Sequence, residues 1–566
     1  MKWKQTDTSK TIEEVVLRNT GYKDIVTFQN GSKAYYAIKF LREATDMIKE
    51  AIKNKVPITI VGDYDVDGIS ASSILFMAIK SLGGIVKVRL PRRISEGYGL
   101  SEKIVDEIDS GLLITVDNGI VAFDPIKKAK EKGLNVILTD HHLLDESGEV
   151  PCADIVIDPH IEGTADFTDY CGAGIAYRLA KCLITNEKLL NKLSCFAAIA
   201  TICDMVPLVE ENRLIVKKGL ENLVTYGNRT SGLYSLLKCV DMDKIITETD
   251  IGFKIGPMIN AAGRLYDDGA MKPFEILTYD GPFDEELGKE LMDINDERKE
   301  KVQNAMEAIE RNIQENCLYG EYPLVIYEPN IPEGIVGILA GKIVEEKNVP
   351  TFIFTDSEDP NVYKGSARSA RGLHLKDLLD KCKSEDPSVF AKYGGHAEAA
   401  GVSVNASKFN DMICLLQENA DEPDEVVEND TIFYDLEISA NEVPDVIEQL
   451  KQYAPFGEGN PRIIFKINDY SLSPRYSDYY KVMGDSGQHI KLFSVNMNAI
   501  GFDMTSKYQD LGEPKQLNLV GTLGTNHYRN IQEFQIEIVD MISNEKKTPK
   551  TALAAMLAKR ASERYS

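Results

Sequence analysis

The sequence lacks the features that define several common classes of protein. Its nine cysteines form no C-x-x-C pair, and Cys195, Cys203 and Cys414 lie inside apolar runs, which is typical of reduced thiols that act as small hydrophobes. This pattern argues against a secreted disulfide protein and against a structural zinc site. No G-x-x-x-x-G-K-[ST] loop occurs, which disfavours an ATP-driven motor.

Long apolar segments are also missing. No apolar run approaches the length needed to cross a membrane, and the start, Met1-Lys-Trp-Lys-Gln-Thr6, contains no apolar signal-peptide core. We therefore expect no membrane partner and a cytoplasmic location. The 566 residues, 43% hydrophobic and 27% charged, are ordinary for a globular protein of several domains.

Basic residues are scarce relative to acidic ones. The chain has 64 Lys and Arg against 89 Asp and Glu, a formal net charge of −25. Proteins that bind nucleic acid usually carry a basic surface, so this balance argues against uniform affinity for DNA or RNA. Charge acts locally, however, and bound metal ions offset several carboxylates. The composition therefore predicts segregated charge and does not exclude a nucleic-acid substrate.

Acidic residues and histidines follow three apolar runs. The run 56–61 leads into Asp63-Tyr-Asp-Val-Asp-Gly68, 112–116 into Asp117-Asn-Gly119, and 135–139 into Asp140-His141-His142. Because parallel strands end at one edge of an open α/β sheet, we expect these groups to form one pocket. A lone Asp after a strand is more often a turn residue. Three such ends, with carboxylates on alternate residues that repel one another unless a hard cation is bound, favour a metal site.

The remaining patterns predict several domains. Residues 56–160 alternate strands and helices, including a helix over 70–82, and predict a doubly wound parallel sheet. A mainly helical region follows, with Asp204 in the apolar stretch 195–208 either as a helix-end residue or as a metal ligand. The apolar spacing over 284–317 predicts one long helix between two domains. A second α/β unit is expected over 322–419, and a strand-rich barrel over 431–543.

The ordered motifs resemble those of the DHH phosphoesterase superfamily, and within it the RecJ family of single-strand-specific exonucleases. The resemblance covers roughly residues 50–540. Besides the three strand-end motifs, it rests on Glu96-Gly-Tyr-Gly-Leu100, Cys171-Gly-Ala-Gly174, Ile202-Cys-Asp-Met-Val-Pro-Leu208, Glu211-Asn-Arg213, Asn260-Ala-Ala-Gly-Arg264, Gly365-Ser-Ala-Arg-Ser369, Gly394-Gly-His-Ala-Glu-Ala-Ala-Gly401 and Pro455-Phe-Gly-Glu-Gly-Asn-Pro461.

The resemblance implies a domain order. It places a DHH catalytic domain at 1–240, a helical connector at 241–320, a DHH-associated α/β domain at 321–419, an acidic linker at 420–430, an OB-like nucleic-acid-binding domain at 431–543 and a tail at 544–566. One departure is visible: the family commonly has a Trp-His pair just before the glycine corresponding to Gly334, where this chain has Ile331-Pro332-Glu333. The substrate contact of that histidine is therefore not expected here.

The catalytic and metal-binding residues can be carried over motif by motif. The expected metal ligands are Asp63, Asp65, Asp67, Asp117, His141 and Asp204, while Asp140 and His142 either bind metal or orient a neighbouring group. Oxygen and imidazole ligands suit Mn²⁺ or Mg²⁺ better than zinc, and the resemblance implies two ions bridged by Asp117. Two such ions activate water for in-line attack on phosphorus and stabilise the entering and leaving oxygens.

A second set of residues is expected to bind the phosphates and bases. In the DHH-associated domain, Gly394 and Gly395 would let backbone N–H groups approach an anion, with Arg368, Ser369 and His396 beside them. Arg92 and Arg264 are candidates for contacts with the DNA backbone. The barrel aromatics, Phe465, Tyr470, Phe493 and Tyr528, are candidates for stacking on unpaired bases, although many aromatics of a barrel belong to its core.

The resemblance implies a 5′-to-3′ exonuclease that hydrolyses single-stranded DNA to 5′-mononucleotides in DNA repair and recombination. Its implied protein partners are a single-strand-binding protein or a helicase. Two alternatives stay open: another DHH phosphoesterase acting on oligoribonucleotides, cyclic dinucleotides or pyrophosphate, and a non-catalytic DHH scaffold in replication. The strand-rich domain after residue 431 favours a long polymer over a small substrate. The complete set of acidic residues and both histidines favour an enzyme over a scaffold.

Overall fold

The computed structural model describes residues 2–145, 147–225, 227–242, 246–421, 431–475, 477–484, 486–495, 497–528 and 531–545. The chain divides into two compact units. One comprises Ala34–Val206 and Glu211–Val427, and the other comprises Met1–Lys33, Pro207–Glu210 and Glu428–Ser566. Among the helices of the described ranges, none is both long enough and apolar enough to span a bilayer.

A five-stranded parallel sheet forms the start of the larger unit. Its strands lie in the order β3-β2-β4-β5-β6, so the chain first adds a strand on one side of β2 and then continues on the other. The elements up to this point are β1 (Lys2–Gln5), α1 (Ile12–Thr20), α2 (Ile25–Asn30), α3 (Leu41–Lys53), β2 (Ile58–Val61), α4 (Val66–Ser81), β3 (Val86–Arg89), α5 (Glu102–Asp106), β4 (Leu112–Val116), α6 (Phe123–Glu131), β5 (Asn135–Thr139) and β6 (Ile155–Ile157).

Helix α4 begins earlier than the apolar pattern predicts, at Val66 instead of residue 70. The side chain of Asp65 caps it, because Asp65 Oδ1 accepts hydrogen bonds from the N–H groups of Asp67 and Gly68 at 3.0 and 3.1 Å. An aspartate at this position satisfies backbone donors that a helix start leaves without intrahelical partners. The cap therefore places Asp65 and Asp67 within the first turn, directly beyond the end of β2.

A helical region follows the sheet. The helix α14 matches the expected long connector closely, and it packs against α10 and α12 of the helical region and α15 of the next domain. The bounds are α7 (Gly172–Leu183), α8 (Glu187–Cys203), α9 (Glu210–Val224), α10 (Ser231–Cys239), α11 (Glu248–Asp250), a π-helical turn (Ile251–Ile255), α12 (Gly256–Leu265), α13 (Met271–Thr278) and α14 (Glu285–Glu315).

The second α/β domain has a five-stranded mixed sheet in the order β10-β11-β9-β8-β7, in which only β7 and β8 are parallel. An apolar cluster around Phe352 and Phe354 forms its core. The bounds are β7 (Leu324–Tyr327), α15 (Glu333–Lys347), β8 (Thr351–Asp356), β9 (Val362–Arg368), α16 (Leu375–Glu385), β10 (Lys392–Gly395), β11 (Ala399–Asn405) and α17 (Phe409–Asn419).

The smaller unit contains a seven-stranded sheet in the order β13-β14-β18-β19-β17-β16-β15. Strand β12 lies outside this sheet and pairs in parallel with β1, where Lys2 is opposite Thr431. The bounds are β12 (Thr431–Tyr434), β13 (Leu436–Ser439), α18 (Val443–Leu450), β14 (Phe465–Ser471), β15 (Tyr480–Met483), β16 (His489–Phe493), β17 (Met497–Gly501), α19 (Thr505–Asp510), β18 (Gln516–Tyr528) and β19 (Ile531–Ser543).

The N-terminal segment is part of this smaller unit and not of the catalytic domain in which the sequence interpretation placed it. Ile12, Val15, Val16 and Phe28 are buried in the same apolar cluster as Phe465 of the barrel. This grouping is non-local, and the periodicity of α1 gives only an apolar stripe without its partner. Most of the proposed acidic linker 420–430 and of the tail 544–566 lies outside the described residues.

Candidate metal centre and phosphate-binding residues

The carboxyl ends of β2, β4, β5 and β6 form the floor of the candidate site. Asp63, Asp117, Asp140 and Asp158 follow these strands in turn, and each is at most 2% exposed. The sheet order changes direction beside β2, and open α/β sheets bind ligands at such a switch point. The segments distant in sequence are therefore brought to one edge of the sheet.

Asp67 is held by the start of a second helix. Its Oδ2 accepts a hydrogen bond from Gly172 N at 2.6 Å, and its Oδ1 accepts one from Ala173 N at 2.7 Å. The free N–H groups and the dipole of α7 favour a carboxylate at this place. Gly172 is needed for this close approach, because a Cβ there would lie 2.5 Å from Asp117 Cβ.

His141 lies at the centre of the carboxylate cluster. Its Nε2 is 3.0 Å from Asp117 Oδ1, 3.6 Å from Asp67 Oδ2 and 3.7 Å from Asp204 Oδ2. Asp117 Oδ1 and His141 Nε2 are buried, and neither makes a hydrogen bond within the described part of the chain. Asp117 also has a left-handed backbone with φ 61°, which is uncommon for a residue other than glycine. The strand end is thus turned so that its carboxylate faces the imidazole.

Burial and mutual repulsion raise the pKa values of the clustered carboxyls. Burial has the largest effect at every position. The nearest charged neighbours add to it: Asp65 raises the pKa of Asp63, and Asp67 raises the pKa values of Asp65, Asp117 and Asp204. Burial and these neighbours together bring the pKa of Asp204 to about 8. Burial also lowers the pKa of His141. A neutral imidazole among carboxylates that resist ionisation is the donor set that a divalent cation stabilises.

Asp140 and His142 form a pair beside this cluster. Asp140 Oδ1 is 2.7 Å from His142 Nδ1, and Asp140 Oδ2 accepts a hydrogen bond from Ile120 N at 2.9 Å. Burial lowers the pKa of His142, but the hydrogen bond and charge of Asp140 outweigh it and raise the value to about 9. The hydroxyl of Tyr98 donates to Asp117 O at 2.8 Å and lies 3.2 Å from His142 Nδ1. The contact with Asp140 therefore favours the protonated form of His142, and both oxygens of Asp140 are occupied by protein donors.

The sequence interpretation missed a further Asp-His pair at the end of β6. Asp158 is 3.6 Å from His160 Nδ1, and both Asp158 Oδ2 and His160 Nδ1 are buried without a hydrogen bond among the described residues. Asp158-Pro159-His160 follows a predicted strand, as the three recognised motifs do. The sequence therefore contains the same pattern here as at the other three strand ends, an Asp within two residues of the strand.

A cluster of arginines, Arg93, Arg264 and Arg298, lies beside Asp63 and Asp65. Arg264 Nη1 donates to Gly334 O at 3.1 Å. Burial, and then the charges of Arg93 and Arg298, lower the pKa of Arg264 to about 10. Arg93 stacks over Tyr64 at 4.5 Å, and the buried Nε of Arg298 makes no hydrogen bond in the described residues. Guanidinium groups that repel one another and keep unused donors favour an anion.

The structure places the predicted Arg92 differently from its neighbour. Arg92 is exposed, whereas Arg93 is half-buried beside Tyr64. No pattern in the sequence distinguishes the two. The sequence interpretation also missed Arg298. It lies on the long helix among many charged residues, and nothing in the sequence distinguishes it from them.

The second α/β domain contributes a further basic position. Arg368, at the end of β9, donates from Nη1 to Ser366 Oγ at 3.1 Å and to Ala367 O at 2.9 Å. A Cβ on Gly337 of α15 would lie 3.1 Å from its Nη2. Ser369 uses its Oγ to donate to Leu373 O at 2.5 Å. Arg368 is thus half-buried against the first turns of a helix, with donors left over.

Gly394 and Gly395 lie in β10, the edge strand of the sheet. They pair with Gly401 and Ala400 of β11, and His396 N donates to Ala399 O at 2.9 Å to close the turn. Gly395 has φ 143°. The side chain of His396 is exposed. An edge strand still presents unpaired N–H groups on its outer side.

The segment that departs from the family pattern begins α15. Pro332 precedes the helix, and Glu333 Oε2 pairs with Lys364 Nζ at 2.9 Å. Lys364 Nζ also lies 3.5 Å from Ile94 O, in the loop that carries Arg93. The family commonly has a Trp-His pair at this position. This chain instead has Ile331 and Pro332, followed by Glu333, whose ion pair with Lys364 links α15 to β9.

Two of the four aromatics predicted to stack on bases are core residues. Phe465 and Tyr470 are both 0% exposed, so base stacking by them is excluded. Phe493 lines a cavity of about 680 Å³ together with Arg475, Val495 and Phe534. The side chain of Tyr528 lies outside the described residues.

Comparison with known proteins defines the class of the chain. The model of the DHH family N-terminal domain matches residues 57–202, the DHHA1 domain model matches 320–422, and the RecJ OB domain model matches 434–540. Together with the carboxylate and histidine cluster, these matches define a DHH-family protein with a DHHA1 domain and a C-terminal OB domain.

The relatives narrow this class. The single-stranded-DNA-specific exonuclease RecJ of Haemophilus influenzae is 32% identical over 531 residues, which cover 89% of this chain and 90% of the relative. RecJ of Bacillus subtilis is 33% identical over 90% of this chain, which spans 64% of that relative. The crystal structure of Thermus thermophilus RecJ in complex with Mn²⁺ matches with a TM-score of 0.74 at 26% identity, covering 94% of this chain and 76% of the other. The chain belongs to the RecJ family.

Proposed function

We propose that the chain is a metal-dependent exonuclease that degrades single-stranded DNA in the 5′-to-3′ direction and releases 5′-mononucleotides. The convergence of Asp67, Asp117 and Asp204 on His141 carries this proposal, because two buried ligand atoms there have no hydrogen-bond partner among the described residues. The substrate class is supported by the relatives, whose names give single-stranded-DNA-specific exonuclease activity.

The donor set fits two Mn²⁺ or Mg²⁺ ions. We assign their binding to six residues that would hold them: Asp63, Asp65, Asp67, Asp117, His141 and Asp204. The related Thermus thermophilus protein was crystallised with Mn²⁺. When bound, two such ions supply an activated water at neutral pH and stabilise both oxygens of an in-line displacement at phosphorus. In this scheme no protein side chain acts as a nucleophile.

The protein itself supplies charge and orientation. Asp140 keeps His142 protonated at neutral pH, since the pKa of His142 is about 9. A protonated imidazole at the edge of the pocket neutralises a phosphate oxygen of the substrate. Tyr98 fixes the position of His142 through its hydroxyl, which is anchored on Asp117 O. Loss of the Tyr98 hydroxyl would leave the charge of His142 present but misplaced, whereas loss of Asp140 would remove the interaction that favours the charge.

The cluster of Arg93, Arg264 and Arg298 would bind the phosphates of the strand. Arg264 and Arg298 keep guanidinium donors near Arg93, and their mutual repulsion falls when a phosphate dianion is bound among them. Arg368, Ser369 and His396, with the edge strand of Gly394 and Gly395, are proposed to bind a further phosphate. A guanidinium cluster of this kind suits a terminal phosphate, which carries more charge than an internal one.

The barrel is proposed to bind unpaired bases, as a unit distinct from the one that holds the metal centre. Its cavity of about 680 Å³ combines the aromatic rings of Phe493 and Phe534 with the basic Arg475. Stacking on an aromatic ring tolerates any base, because every base has a π face. Binding of a long strand here would raise the affinity without changing the hydrolytic step.

A nuclease with this specificity depends on exposed single strands. We propose a helicase or a single-strand-binding protein as its partner, and a role in DNA repair and recombination, because these proteins generate or cover such strands. The cytoplasmic location expected from the sequence stays a prediction.

The proposal is tested with matched oligonucleotides labelled at the 5′ or the 3′ end. Single-stranded DNA, duplex DNA and RNA of the same sequence are incubated with the chain and Mn²⁺ or Mg²⁺, and Asp117→Ala serves as the inactive control. We expect the 5′ label to appear at once as a mononucleotide, while the 3′ label remains in progressively shorter strands. Duplex DNA should be resistant.

Other outcomes would point to the alternatives. Preferential hydrolysis of short RNA or cyclic dinucleotides would indicate another DHH phosphoesterase. Absence of any hydrolysis in the presence of bound Mn²⁺ would indicate a scaffold. The intact ligand set argues against the scaffold, and the separate barrel unit argues against a small substrate.

A further inference from the structure

The helix that supplies backbone donors to Asp67 is anchored at its start and at its middle by one buried carboxylate. Tyr170 lies directly before the cap residue of α7, and its hydroxyl donates a hydrogen bond to Glu211 Oε2. Arg178, on the second half of α7, donates from Nη1 to the same Glu211 oxygen. Glu211 belongs to α9, so one side chain of a neighbouring helix contacts the start and the middle of α7.

The surroundings of this network leave little room for rearrangement. Tyr170, Arg178 and Glu211 are 0%, 3% and 7% exposed. Arg178 Nη2 also donates to Tyr36 O at 2.7 Å, and Lys181 Nζ lies 3.4 Å from Glu211 Oε1. A buried ion pair is tolerated only when its geometry is well satisfied, since each charge has lost its water. The network therefore fixes α7 both along its axis and in rotation.

The position of α7 matters to the metal centre in two ways. Gly172 and Ala173, two and three residues after Tyr170, donate to the two oxygens of Asp67 at 2.6 and 2.7 Å. Gly172 also approaches Asp117 so closely that a Cβ would lie 2.5 Å from Asp117 Cβ. A displacement of the helix start by a fraction of an ångström would therefore move two proposed metal ligands.

We propose that Tyr170, Arg178 and Glu211 are positioning residues for the metal centre. They hold the first turn of α7 so that Asp67 keeps the orientation in which it binds metal together with His141 and Asp117. None of the three is proposed to touch metal or substrate. The inference rests on the proposed metal site. It assigns a role to Glu211, a residue that has no part in the proposed hydrolysis.

The test uses two tyrosines of the same region, Tyr170 directly before the cap of α7 and Tyr177 within the helix. Tyr170→Phe removes the hydroxyl that contacts Glu211, whereas Tyr177→Phe removes a buried hydroxyl of α7 that has no hydrogen-bond partner in the described residues. Both changes keep the ring and remove one oxygen. Mn²⁺ alone is titrated into the full-length chain after chelator treatment, and its binding is followed by calorimetry and by the loss of the free-ion electron paramagnetic resonance signal.

We expect Tyr170→Phe to weaken Mn²⁺ binding by about tenfold, the lower end of what indirect supports of metal ligands contribute. Tyr177→Phe should stay within about twofold of the parent. Glu211→Gln, if it folds, should weaken binding more than Tyr170→Phe, because it also removes the charge that Arg178 requires. Thermal unfolding of each variant separates a loss of stability from a loss of affinity.

Two results would contradict the positioning role, and a third would contradict the proposed metal site itself. Equal Mn²⁺ affinities for Tyr170→Phe and Tyr177→Phe would overturn the positioning role. A lower unfolding temperature of Tyr170→Phe with unchanged affinity would do the same and would make the network purely structural. Absence of Mn²⁺ binding in the parent chain would instead overturn the metal assignment on which the proposed function depends.

Discussion

The buried carboxylate cluster predicts that the metal-free protein is stabilised by removal of one of its own proposed ligands. Asp204 is the best position to test this, because burial and Asp67 raise its pKa from 3.8 to about 8. Its side chain is 27% exposed, so solvent screens it only in part. Asp204→Asn keeps the shape and removes the charge.

The magnitude and its pH dependence follow from the raised pKa. The folded state binds a proton at Asp204 more tightly than the unfolded state, so this group favours folding below about pH 4, and the benefit is lost as the pH rises toward about 8. At pH 7 the loss spans about three pH units, or about 4 kcal/mol at 1.4 kcal/mol per unit. Since an asparagine does not titrate, the metal-free variant should be more stable than the parent at pH 7 by about 2–4 kcal/mol and lose this advantage near pH 4.

Differential scanning calorimetry of the chelator-treated proteins between pH 4 and 8 measures this difference. We expect the Asp204→Asn transition to lie several degrees above that of the parent at pH 7, and the order to reverse when Mn²⁺ is added, because only the parent keeps every ligand. Asp46→Asn, at an exposed position of the same unit, is the control and should change little. Parallel pH profiles of the parent and Asp204→Asn without metal would refute the repulsion argument.

Four further predictions follow from the same contacts. Asp117→Ala should lower hydrolysis far more than tenfold with the fold retained, and activity within tenfold of the parent, about 1.4 kcal/mol of barrier, would contradict the two-ion assignment. Arg298→Ala should weaken the preference for a 5′-phosphorylated strand, measured by competition with the unphosphorylated strand, while its exposed neighbour variant Lys299→Ala should not; equal preferences would remove Arg298 from the phosphate site. The double replacement of Arg368 and His396 by alanine should weaken strand binding with unchanged Mn²⁺ content, and unaltered affinity would show that the DHH-associated domain does not bind the strand. In the barrel, Phe493→Ala should weaken binding of long strands about fivefold or more without altering the salt dependence, whereas Arg475→Ala should reduce the salt slope by about one; unchanged affinities over a salt series would exclude the cavity as a strand-binding site.

Point variants are better suited to the barrel than truncation near residue 430. Residues of α1 and α2, including Val15 and Phe28, are buried against the barrel core. Removal of 431–566 would leave these apolar side chains without their partners. A loss of solubility in such a truncated protein would then report on the N-terminal segment and not on strand binding.

The strand ends were predictable from the sequence because their physical signals are local. Each apolar run that becomes a buried parallel strand is followed within two residues by Asp63, Asp117 or Asp140. In an open α/β sheet the carboxyl ends of such strands meet at one edge, where ligands bind. The cap at Asp65 extended α4 by one turn beyond its apolar pattern. An N-cap aspartate can be recognised in a sequence, but Asp65 also belongs to the motif that predicts metal ligands, and the sequence interpretation gave it only that role.

The residues that sequence reasoning missed depend on long-range packing. Arg93 and Arg298 come from a loop and a long helix, and only the folded unit brings their charges to Arg264. The burial of Phe465 and Tyr470 likewise depends on which face of the barrel receives α1 and α18. Alternation along a strand defines two faces, but it does not say which one is covered from a distant part of the chain.

The measurement that tests the central claim most directly is the stoichiometry of Mn²⁺ binding. Equilibrium titration of the chelator-treated chain should give two ions per chain, and Asp117→Ala should lose both or reduce the number to one weakly bound ion. The assignment of the strand-end carboxylates and His141 as the metal centre would be contradicted by either of two results. Asp117→Ala would bind Mn²⁺ as tightly as the parent, or the parent would bind no Mn²⁺ at all.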